Sequence, residues 1–284
     1  MKVVFSGPGA ILTRRLHARM QPSTRSSHEL QQAETASDIN RPGSWLMSQR
    51  REIRATLNYM NMTTHSTGEF GYSLSPSGAL HDWSEIAQHW HARNATLVER
   101  CGRHDAPFVH AEHGNMHNFL LAAELCGVST LREVLGTRGH IDGPQGRLDA
   151  AMVSEGRLDL VEAKFTEFQL NADGSPSSGA HNKCMRHLRD ACAQVDTYRN
   201  KHAMYRPSER RERRVGVVFA AAHLVEESGP EDIRLTRYID AMQKIPHDFM
   251  AWSFPASART FRYWNRHYPG VVMLARISSP TSQP

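Results

Sequence analysis

The tetrapeptide Gly-Arg-Leu-Asp occurs at residues 146–149 and again at 156–159, and each copy leads into an apolar stretch. The stretches Leu148–Val153 and Leu158–Phe165 are predicted as strands because they are largely apolar and are bounded by turn residues. Gly156 lies between them and supplies the positive φ that a tight turn needs. We therefore predict a β-hairpin with a two-residue turn, and this hairpin restricts the folds that the chain can adopt.

The predicted hairpin gives the two aspartates of the repeat different surroundings. With this turn, Asp149 lies directly across from Glu162, with Cβ atoms about 4.5–5.5 Å apart. Alternate residues of a strand point to the same side, so Lys164 shares the face of Glu162 while Asp159 points to the opposite face. Opposed carboxylates repel each other, and a divalent cation such as Mg²⁺, which prefers oxygen ligands, would relieve that repulsion. The alternative is a solvent-facing hairpin on which these charges have no joint role.

The rest of the chain alternates between predicted helices and strands, which is typical of an α/β domain. We predict helices at 85–101, 114–126, about 181–203 and 231–244, and strands at 215–225, near 249–254 and at 270–276. Earlier in the chain we predict a short strand at 2–5, a polar linker at 21–44, a helix at about 45–60 and a Gly/Ser-rich segment at 67–79. The sequence thus divides into an N-terminal accessory region of uncertain fold, 1–84, and a main domain, 85–284.

The composition limits the class of partner. A net charge of +5, with 17 histidines besides, favours a polyanionic partner. The four cysteines form no CxxC pair, so we expect reduced thiols in a cytoplasmic protein. The apolar runs are shorter than the roughly 20 residues of a membrane span, and no convincing signal peptide begins the chain. We expect no membrane association, and we expect the accessory region to form a homo-oligomer, bind a protein partner or contact DNA.

A further motif lies on the predicted helix 181–203, where Gln194 and Tyr198 form the pattern QxxxY. Together with GxxD at 146–149 and ExK at 162–164, in this order, it makes the chain resemble the PD-(D/E)xK phosphodiesterase superfamily, in particular its RecB-type nuclease branch. The resemblance implies a restriction-endonuclease-like core, in which helices flank a central mixed β-sheet. It also implies Mg²⁺-dependent hydrolysis of DNA phosphodiester bonds, with Mn²⁺ able to substitute.

The resemblance implies roles for the residues of the hairpin. Asp149 and Glu162 would hold the metal ion, with help from the backbone carbonyl of Ala163. Lys164 would orient the nucleophile or stabilise the charge that develops on the phosphate. Members of the branch with an iron–sulfur cluster carry cysteines after the QxxxY helix, whereas no cysteine follows Cys192 here, so we expect no cluster.

Helical periodicity agrees with the position of the third motif. On the predicted helix Gln194 and Tyr198 share a polar stripe with Lys183 and His187. Beside it lies a predicted apolar stripe of Met185, Leu188, Cys192 and Val195. A polar stripe next to a packed face suits a helix at the edge of a cleft, and the resemblance implies that Gln194 and Tyr198 position the scissile strand. The alternative is a solvated flank of the helix.

The family also places an acid or a histidine on a helix before the hairpin. Glu112 falls on the apolar line of the predicted helix 114–126, at its start, and an inward carboxylate needs a partner such as a metal ion. Alternatively, the positive end of the helix dipole favours an acid at this position. His113 and His117 are further alternatives for the same role.

Two other functions are compatible with the sequence. A zinc-dependent hydrolase would use His110, His113 and His117, although their spacing is not HExxH. A catalytically inactive nuclease-fold protein would bind DNA or a protein partner, but the complete acid-acid-lysine set argues against it. The run Arg206–Arg214 would either grip phosphates or form a solvated loop. By family analogy we expect a role in restriction or antiphage defence, and the motifs leave open whether the enzyme is an endonuclease or an exonuclease.

Overall fold

A computed structural model describes residues 63–66, 68–101, 105–138, 145–199, 211–224, 231–264 and 266–278. All of them lie in the second of two compact units, Met47–Pro284. The predicted strand at 2–5, linker at 21–44 and helix at 45–60 lie outside the described residues. No helix in the described segments is long and apolar enough to cross a membrane.

The described segments contain both strands and helices. In sequence they are β1 Thr63–Ser66, β2 Phe70–Leu74, α1 Trp83–Cys101, a 3-10 helix Pro107–Val109, α2 Ala111–Leu125, β3 Ser129–Arg138, β4 Gln145–Ser154, β5 Arg157–Gln169, α3 Ser178–Thr197, β6 Tyr198–Arg199, β7 Arg211–His223, α4 Glu231–Gln243, β8 Phe249–Ser253, a 3-10 helix Ala256–Thr260, β9 Arg262–Tyr263, β10 Arg266–His267 and β11 Val271–Ile277.

One large mixed sheet organises the described part of the chain. Its strand order is β1-β2-β8-β11-β7-β5-β4-β3-β6, and β9 and β10 form a separate ribbon. Strands β5 and β7 run parallel, whereas the other neighbouring pairs of the large sheet are antiparallel. The predicted α/β class, with a central mixed sheet between helices, is therefore confirmed.

The helices cover both faces of this sheet. On one face, Trp90 of α1 and Phe119 of α2 share a buried cluster with Phe219 of β7. On the other face, Leu188 of α3 and Tyr238 of α4 share a cluster with the β7 residues Val218 and Ala220. Successive residues of β7 thus enter different cores, as expected for a strand buried on both faces.

The hairpin has the predicted register. Strands β4 and β5 pair from Ser154–Arg157 to Ala150–Val161, and Gly156 in the turn has a φ of 67°. The next pair in this register would be Asp149–Glu162, but the ladder ends one pair earlier. The prediction is therefore confirmed along the ladder, and the two strands separate where the acidic pair was expected.

Several elements differ from the sequence-based prediction. Strand β3 was not predicted, and β2 lies within the segment that was predicted to be a Gly/Ser-rich patch of the accessory region 1–84. Strand β2 pairs with β8, so residues 70–74 belong to the main sheet. Helix α3 ends at Thr197, before the predicted end at 203, because Arg214 of β7 occupies its last carbonyls. The Arg214 Nη1 donates to the carbonyls of Val195, Asp196 and Tyr198 at 2.8–3.0 Å.

The buried stripe of α3 is rotated from the predicted one. Cys184, Leu188, Ala191 and Val195 are buried. Met185, predicted to be in the apolar stripe, is 37% exposed, and Cys192 is half-buried. Helix α3 packs closely against β7 at Gly216. A Cβ at this position would meet the Cys192 backbone nitrogen at 2.6 Å, so the glycine permits the approach.

Candidate active site

The hairpin strands separate at Asp149, directly beyond the last pair of their ladder. Its Oδ2 accepts a hydrogen bond from the backbone N–H of Ala163 at 2.7 Å. The N–H and C=O groups of one strand residue point to the same side, so the carbonyl of Ala163 also faces β4. Asp149 and this carbonyl, both predicted as metal ligands, therefore lie where β4 and β5 separate.

The backbone around Asp149 is irregular. The β3–β4 ladder skips the pair Glu133–Asp149, and Glu133 has a φ of 49°. A non-glycine residue in this left-handed region costs about 1–2 kcal/mol. Leu148 and Ala150, which would share a face in a regular strand, enter clusters on opposite faces of the sheet. Strand β4 therefore rotates at Asp149, and such strain concentrates at functional sites.

Glu162 lies next to this irregularity and is only 3% exposed. Its Oε1 accepts from Lys164 Nζ at 3.1 Å and lies 3.8 Å from Arg138 Nη2. Its Oε2 is buried and has no hydrogen-bond partner among the described residues. Burial and the charge of Asp149 raise the pKa of Glu162, against the opposing effects of Lys164 and Arg138.

Glu112, at the start of α2, belongs to the same electrostatic group. Partial burial, then the charge of Asp149, raises the pKa of Glu112; Glu162 acts in the same direction, whereas Lys164 lowers it. Three acids from one helix and two strands thus interact with each other and with one lysine. Carboxyl groups such as Glu112 and Glu162, whose pKa values are raised by burial and by neighbouring acids, are typical of functional sites.

This acidic cluster suits a hard divalent cation. Carboxylate and carbonyl oxygens are the ligands that Mg²⁺ prefers, and it is commonly held by one or two carboxylates together with waters and substrate phosphates. The unpartnered Oε2 of Glu162 is a buried oxygen that a cation would satisfy. The three acids are not a group whose ligand atoms all lie within 4.8 Å of one another. A cation shared by all three acids would therefore require their side chains to approach one another.

Arg138 is a residue of this site that sequence reasoning missed. At the end of β3, its guanidinium lies near Glu162 and donates from Nη2 to the carbonyl of Arg147 at 3.0 Å. The Arg138 side chain crosses β4 above Gly146, where a Cβ would meet its Nε at 2.7 Å and its Cγ at 2.9 Å. The glycine of the GxxD motif therefore leaves the space through which Arg138 reaches Glu162. The unpredicted β3 carries Arg138, so no local pattern indicated its role.

Asp159, the twin of Asp149, is part of an ion-pair network on the opposite face, as parity predicts. It is 1% exposed and accepts from Arg213 Nε at 2.7 Å and Nη2 at 2.6 Å. Trp83 Nε1 also donates to it, at 3.0 Å. Arg213 in turn binds Asp82 through both terminal nitrogens, at 2.9 and 3.0 Å. Asp159 thus joins the sheet to the start of α1.

The residues predicted on the polar stripe of α3 have different surroundings. Lys183, His187 and Gln194 are half-buried. Burial, then Lys183, lowers the pKa of His187, while a hydrogen bond with the backbone of Phe165 acts against it, so this part of α3 lies over β5 next to Lys164. Tyr198 follows the last residue of the helix, and roles for Gln194 and Tyr198 with the scissile strand stay predictions.

Tyr198 lies directly after the end of α3, and its side chain is held by hydrogen bonds to β3. It is buried, and its hydroxyl donates to the carbonyls of Leu135 at 2.9 Å and Val134 at 3.3 Å. These bonds connect the end of α3 to the strand that carries Arg138. Tyr198 therefore supports the backbone behind the acidic cluster.

The alternative histidine cluster does not come together. His110 pairs with Asp105, and His117 Nδ1 lies 2.9 Å from Arg132 Nη1. Within the segments that the structure describes, the three histidines predicted for zinc are not a group of converging ligand atoms. Two residues of the arginine-rich run form hydrogen bonds inside the protein: Arg213 with Asp159, and Arg214 with the end of α3.

Comparisons of the chain with protein-family models, with curated proteins and with solved structures gave no match.

Proposed function

We propose that this chain is a Mg²⁺-dependent deoxyribonuclease with a restriction-endonuclease-like core, as its resemblance to RecB-type nucleases implies. The observation that carries the proposal is the convergence of Glu112, Asp149, Glu162 and Lys164 where β4 and β5 separate. These are the residue types that metal-assisted hydrolysis of a phosphodiester requires, and they come from three different elements of the fold.

Asp149, Glu162 and the carbonyl of Ala163 are the groups that would hold the ion, with Glu112 completing the set from α2. When bound, Mg²⁺ supplies positive charge to the phosphate and promotes the ionisation of an attacking water. The N–H of Ala163 fixes the carboxylate of Asp149 at the site. Glu162 is fixed between the ammonium of Lys164 and the guanidinium of Arg138.

Lys164 is the group that would act on the reaction itself. Its ammonium lies beside the acids, half-buried, in a position to stabilise charge that develops on a phosphate oxygen. Fixed charges of this kind act strongly because they need no reorganisation during the reaction. The net charge of +5 supports a polyanion such as DNA as the substrate.

The test compares cleavage of plasmid and linear DNA in Mg²⁺ and in chelator. Wild type and the control variant Glu155→Gln, which changes an exposed acid in the hairpin turn, should cut in Mg²⁺ and stop in chelator. Glu162→Gln should bind DNA in Ca²⁺ and fail to cut in Mg²⁺. Binding without cleavage by the wild type would favour the inactive nuclease-fold alternative. Equal cleavage by both variants would refute the assigned site.

A further inference from the structure

A second group of potential metal ligands lies between α1 and the end of α2, apart from the acidic cluster. Glu85 and His89 are four residues apart on α1 and therefore project from the same side of the helix. Cys126 follows the last residue of α2. One ligand atom from each of these three side chains lies within 4.8 Å of the other two, and theirs is the one such group in the described segments.

The backbone that carries Cys126 is rigidly fixed. The N–H of Gly127 donates to the carbonyl of Glu124, and the N–H of Val128 donates to that of Ala123, both at 3.0–3.1 Å. With a φ of 76° at Gly127, this is a Schellman C-cap, which ends α2 in one defined geometry. The thiol is therefore presented by a fixed turn, and its two companions by a helix of five turns.

That helix and turn are held against each other by the core. Trp83 of α1 and Phe119 of α2 contact each other with ring centroids 5.2 Å apart. Cys126 itself packs against the same buried cluster. The elements that carry the three ligand atoms are therefore already packed in place. A metal site requires this kind of preorganisation.

The three side chains have no competing partners. None of them forms a hydrogen bond or ion pair with another side chain in the described segments. His89 and Cys126 are half-buried. Glu85 is exposed, which leaves one side of the cluster open to solvent.

The chemistry of the donors selects the metal. Thiolate, imidazole and carboxylate together are typical ligands of Zn²⁺, whereas Mg²⁺ prefers oxygen alone. Tetrahedral zinc with bonds of 2.0–2.3 Å places its ligand atoms about 3.4–3.6 Å apart, so only small side-chain adjustments are needed. We propose that Glu85, His89 and Cys126 form a Zn²⁺ site whose fourth ligand is water or another exchangeable group.

The test is metal binding by the full-length protein after removal of metals with chelator. Zn²⁺ is titrated against a chromophoric chelator, and Co²⁺ is titrated to detect the thiolate-to-cobalt charge-transfer band. The wild type should bind one Zn²⁺ and show that band. Cys126→Ser and His89→Gln should weaken Zn²⁺ binding by more than the roughly 10–100-fold that loss of an outer-shell partner costs.

The controls separate this site from others in the chain. Cys101→Ser changes an exposed cysteine at the end of α1 and should keep both the affinity and the band. Glu162→Gln should also keep them, because the acidic cluster does not take part. Circular dichroism confirms that each variant is folded. Absence of Zn²⁺ binding, absence of the cobalt band, or wild-type affinity in Cys126→Ser would overturn the proposal, whatever the outcome for DNA cleavage.

Discussion

Replacing each aspartate of the GRLD repeat in turn should show that one is needed for DNA cleavage and the other for the stability of the fold. Asp149→Ala should abolish Mg²⁺-dependent cleavage and leave the fold nearly as stable as before. Asp159→Ala should lower stability strongly and leave cleavage largely intact at temperatures where the variant is folded. The reason is that one aspartate faces the acidic cluster whereas the other neutralises a buried arginine.

The size of the stability loss follows from the Asp159 network. Asp159 makes two hydrogen bonds with Arg213, and both side chains are at least nine-tenths buried. Removing one partner of a buried ion pair costs about 3–5 kcal/mol when the other charge is left unpaired. Arg213 keeps its two hydrogen bonds with Asp82, so we expect the lower end of that range. For a domain of this size, each kcal/mol lowers the melting temperature by roughly 2–4 °C, so a loss of about 3 kcal/mol gives a fall of roughly 6–12 °C.

For Asp149 two effects oppose each other. The variant loses the hydrogen bond from Ala163, worth about 1.5–3 kcal/mol for a charged acceptor. It also removes the charge that raises the pKa values of Glu112 and Glu162, so part of that loss is regained. The net change in melting temperature in chelator should therefore be much smaller than that of Asp159→Ala.

Thermal unfolding in chelator and DNA cleavage in Mg²⁺ are measured on the same preparations. Asp190→Ala, which changes an exposed acid on α3, is the matched control and should alter neither quantity. Equal loss of cleavage in both GRLD variants, each folded at the assay temperature, would show that the two aspartates are not distinguished by strand parity. A larger fall in melting temperature for Asp149→Ala would refute the assignment of the buried network.

Three further predictions concern the acidic cluster. Lys164→Ala should slow cleavage in Mg²⁺ by about 10²–10³-fold and change DNA binding in Ca²⁺ much less; near wild-type cleavage would show that Lys164 is not catalytic. Gly146→Ala should slow cleavage without unfolding the protein, because the new Cβ displaces Arg138 from Glu162, and normal activity would mean that this contact is dispensable. In chelator, the raised pKa of Glu162 should make the free energy of unfolding fall as the pH rises from 4.5 through the folded pKa. Glu162→Gln should remove that part of the dependence in melts at a series of pH values, and an unchanged profile would contradict it.

The hairpin was predictable because its information is local. A glycine in the turn and the two-residue period of a strand determine which side chains share a face. The same arithmetic places Asp149 and Asp159 on opposite faces of the hairpin. The predicted pairing is correct as far as the last ladder pair and does not extend to Asp149. The rotation of β4 at Asp149 depends on the neighbouring β3, whose Glu133 adopts a left-handed conformation.

Features that depend on distant contacts were not predictable. Helix α3 was extended too far because its end is set by Arg214, which lies on another element. Strand β3 was missed because its inward and outward positions do not alternate regularly around Glu133. Arg138 was missed with it, since its contact with Glu162 depends on the crossing above Gly146. The Glu85, His89 and Cys126 group is equally non-local, as it combines two helices.

The adjacent arginines of β7 have a consequence for how the sheet is assembled. From Val215 to Ala222 this strand is apolar towards both faces, so, apart from the fit of Gly216 against α3, a slip of one residue against β5 would bury almost the same surface. Such a slip would turn Arg213 towards α3 and Arg214 towards Asp159, and both sets of hydrogen bonds would be lost. We therefore expect the two guanidiniums to supply the alignment that hydrophobic patterning cannot give to a strand buried on both sides. A β7 with apolar residues at both positions would then fold into a mixture of alignments.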